Sequence, residues 1–127
     1  MEQQDFFQGN LKSERLEVIE VKTLDSIYPQ LKQNLGMDCR LLVKLDTQGF
    51  DLEVLAGGNI TLSKALCSQV EVSFVPIYQN VPSYNTVLQA FEALGFCVTN
   101  FSPNMGSDRG LVAIDFDCFM VSKNAVV

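Results

Sequence analysis

The stretch VKLDTQGFDLEVLAGG, residues 43–58, decides how the rest of the chain is read. A short apolar run climbs to Asp46, the chain turns at Gly49, and a helical pattern follows that Gly57 and Gly58 stop. A strand feeding a helix through a tight turn is the unit of an α/β sheet. Extended back to Cys39, the run CRLLVKLD is nearly all apolar, which suits a strand covered on both faces, as in a parallel sheet. Lys44 stands out inside it, because a Lys in such a strand is costly unless paired. The strand also ends on an acid, and ligands of open α/β sheets bind beyond the carboxyl ends of the strands. Residues 43–58 therefore read as the middle of a ligand crevice.

Working outward, RLEVIEV (15–21) is rich in β-branched residues and reads as a strand, with residues 1–14 as an N-terminal arm before a single domain over 15–127. In TLDSIYPQLKQNLG, Leu24, Ile27, Tyr28, Leu31 and Leu35 share one helical face. Pro29 is tolerable only in a first turn, which puts the helix start near Ser26 and its end at Gly36. NITLSKAL predicts a second short helix capped by Asn59 or Thr61. SQVEVSFVP (68–76) alternates as a strand, with Val70, Val72 and Phe74 on one side and Gln69, Glu71 and Ser73 on the other. NTVLQAFEALGF puts Val87, Leu88, Phe91 and Leu94 on one helical face before Gly95. FCVTNFSP and LVAIDFDCFMVSK (111–123) are two further strands joined by the turn NMGSDRG, hence an antiparallel hairpin. The expected architecture is α/β, with parallel strands linked by right-handed crossover helices.

Composition narrows the function. Net charge is −6 with pI near 4.4 and no basic run, so a nucleic-acid partner is not expected. No apolar stretch approaches the roughly 20 residues a membrane span needs, and the polar N-terminus has no signal-like core, so a cytoplasmic protein is expected. The four cysteines form no CxxC and there is no His, so no metal site is expected and a His-based nucleophile system is absent.

The candidate chemistry gathers at one rim. Asp46 ends one strand and Glu71 lies near the end of the next, so Lys44 facing Glu71 would put three ionisable groups together, the way sites tune pKa values. The alternatives are that Lys44 reaches to solvent at an edge, and that Asp46 caps the following turn. Tyr78 and Tyr84 flank a loop that is either a lid over a ligand or ordinary surface. Asp115 and Asp117 lie two apart on one face of the last strand, as an acid–base pair or as an exposed face.

KTLDSI (22–27), VKLDTQGFDLEVLAGG (43–58), VEVSFVPIYQNVPSY (70–84), LGF (94–96) and DFDCFMV (115–121) resemble, in order and spacing, the C-terminal half of FkbM-type S-adenosylmethionine-dependent methyltransferases. The resemblance covers about residues 15–123. It implies part of a Rossmann-like methyltransferase sheet and methyl transfer from S-adenosylmethionine to a hydroxyl of a sugar or secondary metabolite. It places Asp46 after the fold's fourth strand, near sulfonium and acceptor, and Glu71 on the fifth, as catalytic residues. Lys44, Gln48, Tyr78 and Tyr84 then fall on the acceptor side as substrate-binding residues. The chain departs from the family in having Gln48 where Glu is usual, with Asp51 for a second Glu. It also has no glycine-rich turn opening a helix, so the cofactor-binding half of the fold has no counterpart here. A chain of this kind is expected to pair as a homodimer through the bare sheet edge, since bare edges recruit partners. The other reading is a non-catalytic module used for dimerisation or small-molecule binding.

Overall fold

Helix formation starts where the sequence offers a cap. In the computed structural model, which describes residues 16–36, 39–75, 81–106 and 113–125, Thr23 accepts the Ser26 amide on its side-chain oxygen and opens α1, Leu24–Leu35. The helix begins two residues before Ser26, so Pro29 sits in its second turn, and Gly36 closes it at φ +90°. Then follow β1 (Leu42–Leu45), α2 (Asp51–Gly57), α3 (Asn59–Leu62), β2 (Cys67–Ser73), α4 (Tyr84–Ala93), β3 (Phe96–Gly106) and β4 (Ala113–Ser122). One sheet has the order β1-β2-β4-β3.

β1 and β2 run parallel, as their crossover helices require, and β3 and β4 form the expected antiparallel hairpin. The hairpin folds back so that β4 lies between β2 and β3, antiparallel to both. The sheet is therefore mixed, and the strand beside β2 is not the next one in the chain.

The core lies on one face only. Leu45, Val70, Val72, Cys118 and Met120 meet Leu55, Leu62, Val87 and Phe91 from the helices. The alternation of β2 holds as far as Val72, and α4 buries Val87 and Phe91 as its periodicity predicts. Phe74 falls past the end of β2 and is 44% exposed. The three part-buried cysteines and buried Cys118 are all free, and burial pushes the Cys118 thiol up to about 11.

Three expectations fail for one reason, the want of a covering strand or layer among the described residues. Residues 16–23 form no strand: Leu16, Val18, Ile19 and Val21 stand in solvent, because β-branched residues make a strand only against a neighbouring one. β1 is covered on one face rather than two, with Leu42 and Lys44 exposed on the other. Of the apolar face of α1 only Tyr28 is buried, while Ile27, Leu31 and Leu35 are exposed.

The cap of α3 is also not the expected one. Neither Asn59 nor Thr61 caps it; Asp25, from α1, accepts the amides of Ile60 (3.0 Å) and Thr61 (2.7 Å) and the Thr61 hydroxyl (2.6 Å). These bonds, the Thr61 hydroxyl first, hold the Asp25 carboxyl below its usual 3.8. A depressed carboxylate stabilises the fold above its unfolded pKa and loses that effect as pH falls through the folded value. Asp25→Asn is expected to lower Tm at pH 7 and to converge on the parent protein as pH falls through the folded Asp25 value, which thermal melts across pH will show.

Candidate functional site

The carboxyl ends of β1 and β2 share one rim, and the register says which side chains meet there. Leu45 pairs with Val70, so Asp46, one residue past the ladder, continues toward Glu71, and Glu71 is directly opposite Asp117 on β4. The next cross-strand pair on that face is Ser73 with Asp115. Odd-numbered residues of β2 and β4 point away from the helices, so Asp46, Glu71 and Asp117 form a row of acids across three neighbouring strands, with Asp115 beside it.

Lys44 does not face Glu71. It is opposite Gln69, one step lower on the same face, and its ammonium bonds Asp46 at 3.2 Å in water. Its position is not costly, because that face of β1 is open. Asp46 caps nothing at α2, whose N-cap Phe50 makes no side-chain cap bond; Thr47 bonds Asp51 instead, at 2.6 Å.

Asp115 is the larger surprise. Rather than lying on an exposed face it is 2% exposed, and Oδ1 of Asp115 and Oδ1 of Asp117 are both buried without a hydrogen-bond partner. Among the described residues Glu71 receives a long bond from Asn104, at 3.5 Å. Burial pushes the Glu71 carboxyl above its usual 4.5, and Asp46, Asp115 and Asp117 push it further, against a smaller opposing pull from Lys44. Like charges directly across an antiparallel pair destabilise a sheet, so this row works against the fold. Asp117→Asn is expected to stabilise the protein by about 0.5–1 kcal/mol, raising Tm by a few degrees, as calorimetry can show. Sites that oppose stability in this way are commonly functional ones.

The turn beneath Asp46 is built by two residues at positive φ, Gln48 (49°) and Gly49 (100°). A Cβ on Gly49 would lie 2.8 Å from Val81 Cγ2, so the turn is locked against the segment entering α4. Tyr84 is not in the acid row. It opens α4 on the helix side of the sheet, its ring 4.5 Å from Phe74, which in turn packs 4.4 Å from Phe116. Tyr78 lies outside the described residues. The sequence offered one sign of the acids on β4, their spacing of two, but not the register that brings them to Glu71.

A cofactor grip needs open backbone at a glycine-rich strand-to-helix turn. Gly49 is covered by Val81, while Gly57 packs on Thr23 and Gly58 on Leu24, so none of the three offers that cradle. The described residues do not fit the adenosine end of S-adenosylmethionine, and no step through it follows from them. Among the described residues no three His, Cys, Asp or Glu are grouped to hold a metal ion, and no helix is long and apolar enough to cross a membrane. An apolar cleft of about 330 Å³ between α2 and α4, lined by Leu52, Leu55, Ala90 and Leu94, lies behind the sheet from the acids.

A mixed α/β sheet with acids at the carboxyl ends of its parallel strands is compatible with part of a methyltransferase fold. Residues 3–98, which are 96 of the 127, match the methyltransferase FkbM domain, and the chain belongs to that family. The match takes in β1, β2 and α4 with Asp46 and Glu71 and ends before β4, so Asp115 and Asp117 lie outside it. No curated protein and no solved structure matches the chain significantly.

Proposed function

We propose that this chain serves methyl transfer from S-adenosylmethionine to a hydroxyl of a sugar or metabolite, and that it carries the acceptor side of the site. The observation behind this is the acid row Asp46–Glu71–Asp117 at the sheet rim of a methyltransferase-family domain. A hydroxyl becomes a competent nucleophile as its proton leaves, and a partly desolvated carboxylate with a raised pKa is suited to take it. Glu71 has that environment, with burial and three acids behind it. Asp46 and Lys44 hold each other at the rim and, with Gln48 in the turn below, face the space an acceptor would enter.

Among the described residues β1 ends the sheet with an unpaired edge that carries the exposed Leu42. Pairing of two copies through that edge is part of the proposal, since open apolar edges recruit strands.

The test is transfer of labelled methyl from S-adenosylmethionine to a panel of sugars and polyols, with sedimentation over the same concentrations. Product formation by a dimer whose pairing completes the cofactor grip that the described residues of one copy lack, falling about 10²–10⁴-fold in Glu71→Gln with an unchanged circular dichroism spectrum, is the expected result. Full activity in Glu71→Gln overturns the role of the acid row. A folded dimer that transfers no methyl group to any acceptor favours the other reading, a non-catalytic assembly or binding module.

A further inference from the structure

The acid row is short of positive charge in a specific place. Lys44 bonds Asp46, at 3.2 Å, and sits opposite Gln69 rather than Glu71, on which its pull is smaller than the push of the acids. Glu71, Asp117 and Asp115 have no cation paired with them among the described residues. Asp115 is 98% buried, since only 2% of it is exposed, and an oxygen of its carboxylate has no partner; the same holds for one oxygen of Asp117. A buried carboxylate with an unmet oxygen is costly unless something supplies a donor or a positive charge. Asp115 lies on the same face as Glu71, two residues along β4 from Asp117.

From this geometry we infer that the site takes an acceptor bearing an ammonium group near its hydroxyl, an amino sugar or amino alcohol, with the cation set between Glu71 and Asp117. The inference rests on the acceptor-side reading above and adds the chemical class of the acceptor. The cation enters from the open rim, where Asn104 and Asp46 are exposed, and meets Glu71 and Asp117 directly, with Asp115 behind them strengthening the field. Neighbouring strands are about 4.8 Å apart, so Asp46 and Asp117, two strands removed, lie roughly 10 Å from each other. A positive centre beside Asp46 therefore leaves the Glu71–Asp117 end unneutralised, and a second, separate cation is needed there. An ammonium gives up to three donors, which suits the Glu71 and Asp117 carboxylates facing each other on adjacent strands.

Two matched pairs of probes test this on the intact chain by amide chemical shifts: D-glucosamine against D-glucose, and ethanolamine against ethylene glycol. The expected result is that the ammonium member of at least one pair binds about tenfold tighter, shifts the amides of Glu71, Asn104 and Asp117, and weakens with added salt. Asp117→Asn, which is expected to be more stable than the parent, removes that preference, as does Asp115→Asn. Equal binding of both members of each pair at the rim overturns the inference and leaves the acceptor-side reading standing. A preference that survives both Asn variants overturns it too. No shift at the rim from any probe overturns both the inference and the reading beneath it.

Discussion

Phe91→Ala removes about 3–5 kcal/mol of stability, and urea unfolding of this variant shows the largest loss of any single substitution considered for this protein. A domain of this size holds only about 5–15 kcal/mol in all, so a large part of the margin goes. Phe91 is fully buried in α4 and meets the edge of Phe96 with ring centroids 5.8 Å apart at 81°. That contact ties the helix to the start of β3, and Val87, one turn earlier, ties it to the same core as Val70 and Val72. Truncation leaves a cavity that a sheet on one side and a helix on the other cannot collapse to fill. Phe91→Leu keeps most of the volume and is expected to lose less than about 1.5 kcal/mol. A loss under 1 kcal/mol for Phe91→Ala contradicts the placement of the core.

Gly49→Ala carries the second largest expected loss, roughly 2–3 kcal/mol, and it has two separable parts. One is backbone: at φ +100° a side chain is strained wherever it points. The other is the close approach to Val81, whose Cγ atoms would lie 2.8 and 3.1 Å from the new Cβ. Gly95 measures the first part alone, because it has φ +93° and nothing within 4 Å of a Cβ. Gly49→Ala is expected to lose more than Gly95→Ala, and Val81→Ala in the same chain to recover the difference. Equal losses at the two glycines, with no recovery, contradict the packing of the turn. The consequence reaches the site, since this turn leads directly from Asp46 and is held by the segment that enters α4. A displaced turn moves the acid at the end of β1 relative to Glu71.

What could be read from the chain followed from local rules. The period of α4 predicted which residues it buries, and the alternation of β2 predicted which of its residues face away from the helices, including Glu71. The turn at Gly49 and the hairpin were visible as glycine and polar punctuation. The failures lie where a residue answers to something distant in sequence. RLEVIEV has strand composition, but residues 16–21 join no strand ladder among the described residues, and composition carries no information on that. The apolar stripe of α1 has a helix's period, yet periodicity does not say whether anything covers the stripe. Asp25 caps a helix that starts 34 residues later, at Asn59, beyond the reach of a local capping rule. Asp117 meets Glu71 only because β4 inserts between β2 and β3, a strand order that chain order conceals. The site was therefore half legible: Asp46 and Glu71 from strand ends, Lys44 with the wrong partner, and Asp115 and Asp117 without their place in the row.

The acids at this rim act on one another, and burial first, then Asp46, Asp115 and Asp117, hold the Glu71 carboxyl above its usual range. A group whose folded pKa is raised contributes stability that is complete below its unfolded value, here near 4.5, and lost as pH rises through the folded value. The most direct measurement is the titration of the Glu71 carboxyl carbon by NMR in the parent protein and in Asp117→Asn. A midpoint above 4.5 in the parent that moves down toward it in the variant is expected. A midpoint at or below 4.5, or one that Asp117→Asn leaves where it was, contradicts this mutual action of the acids.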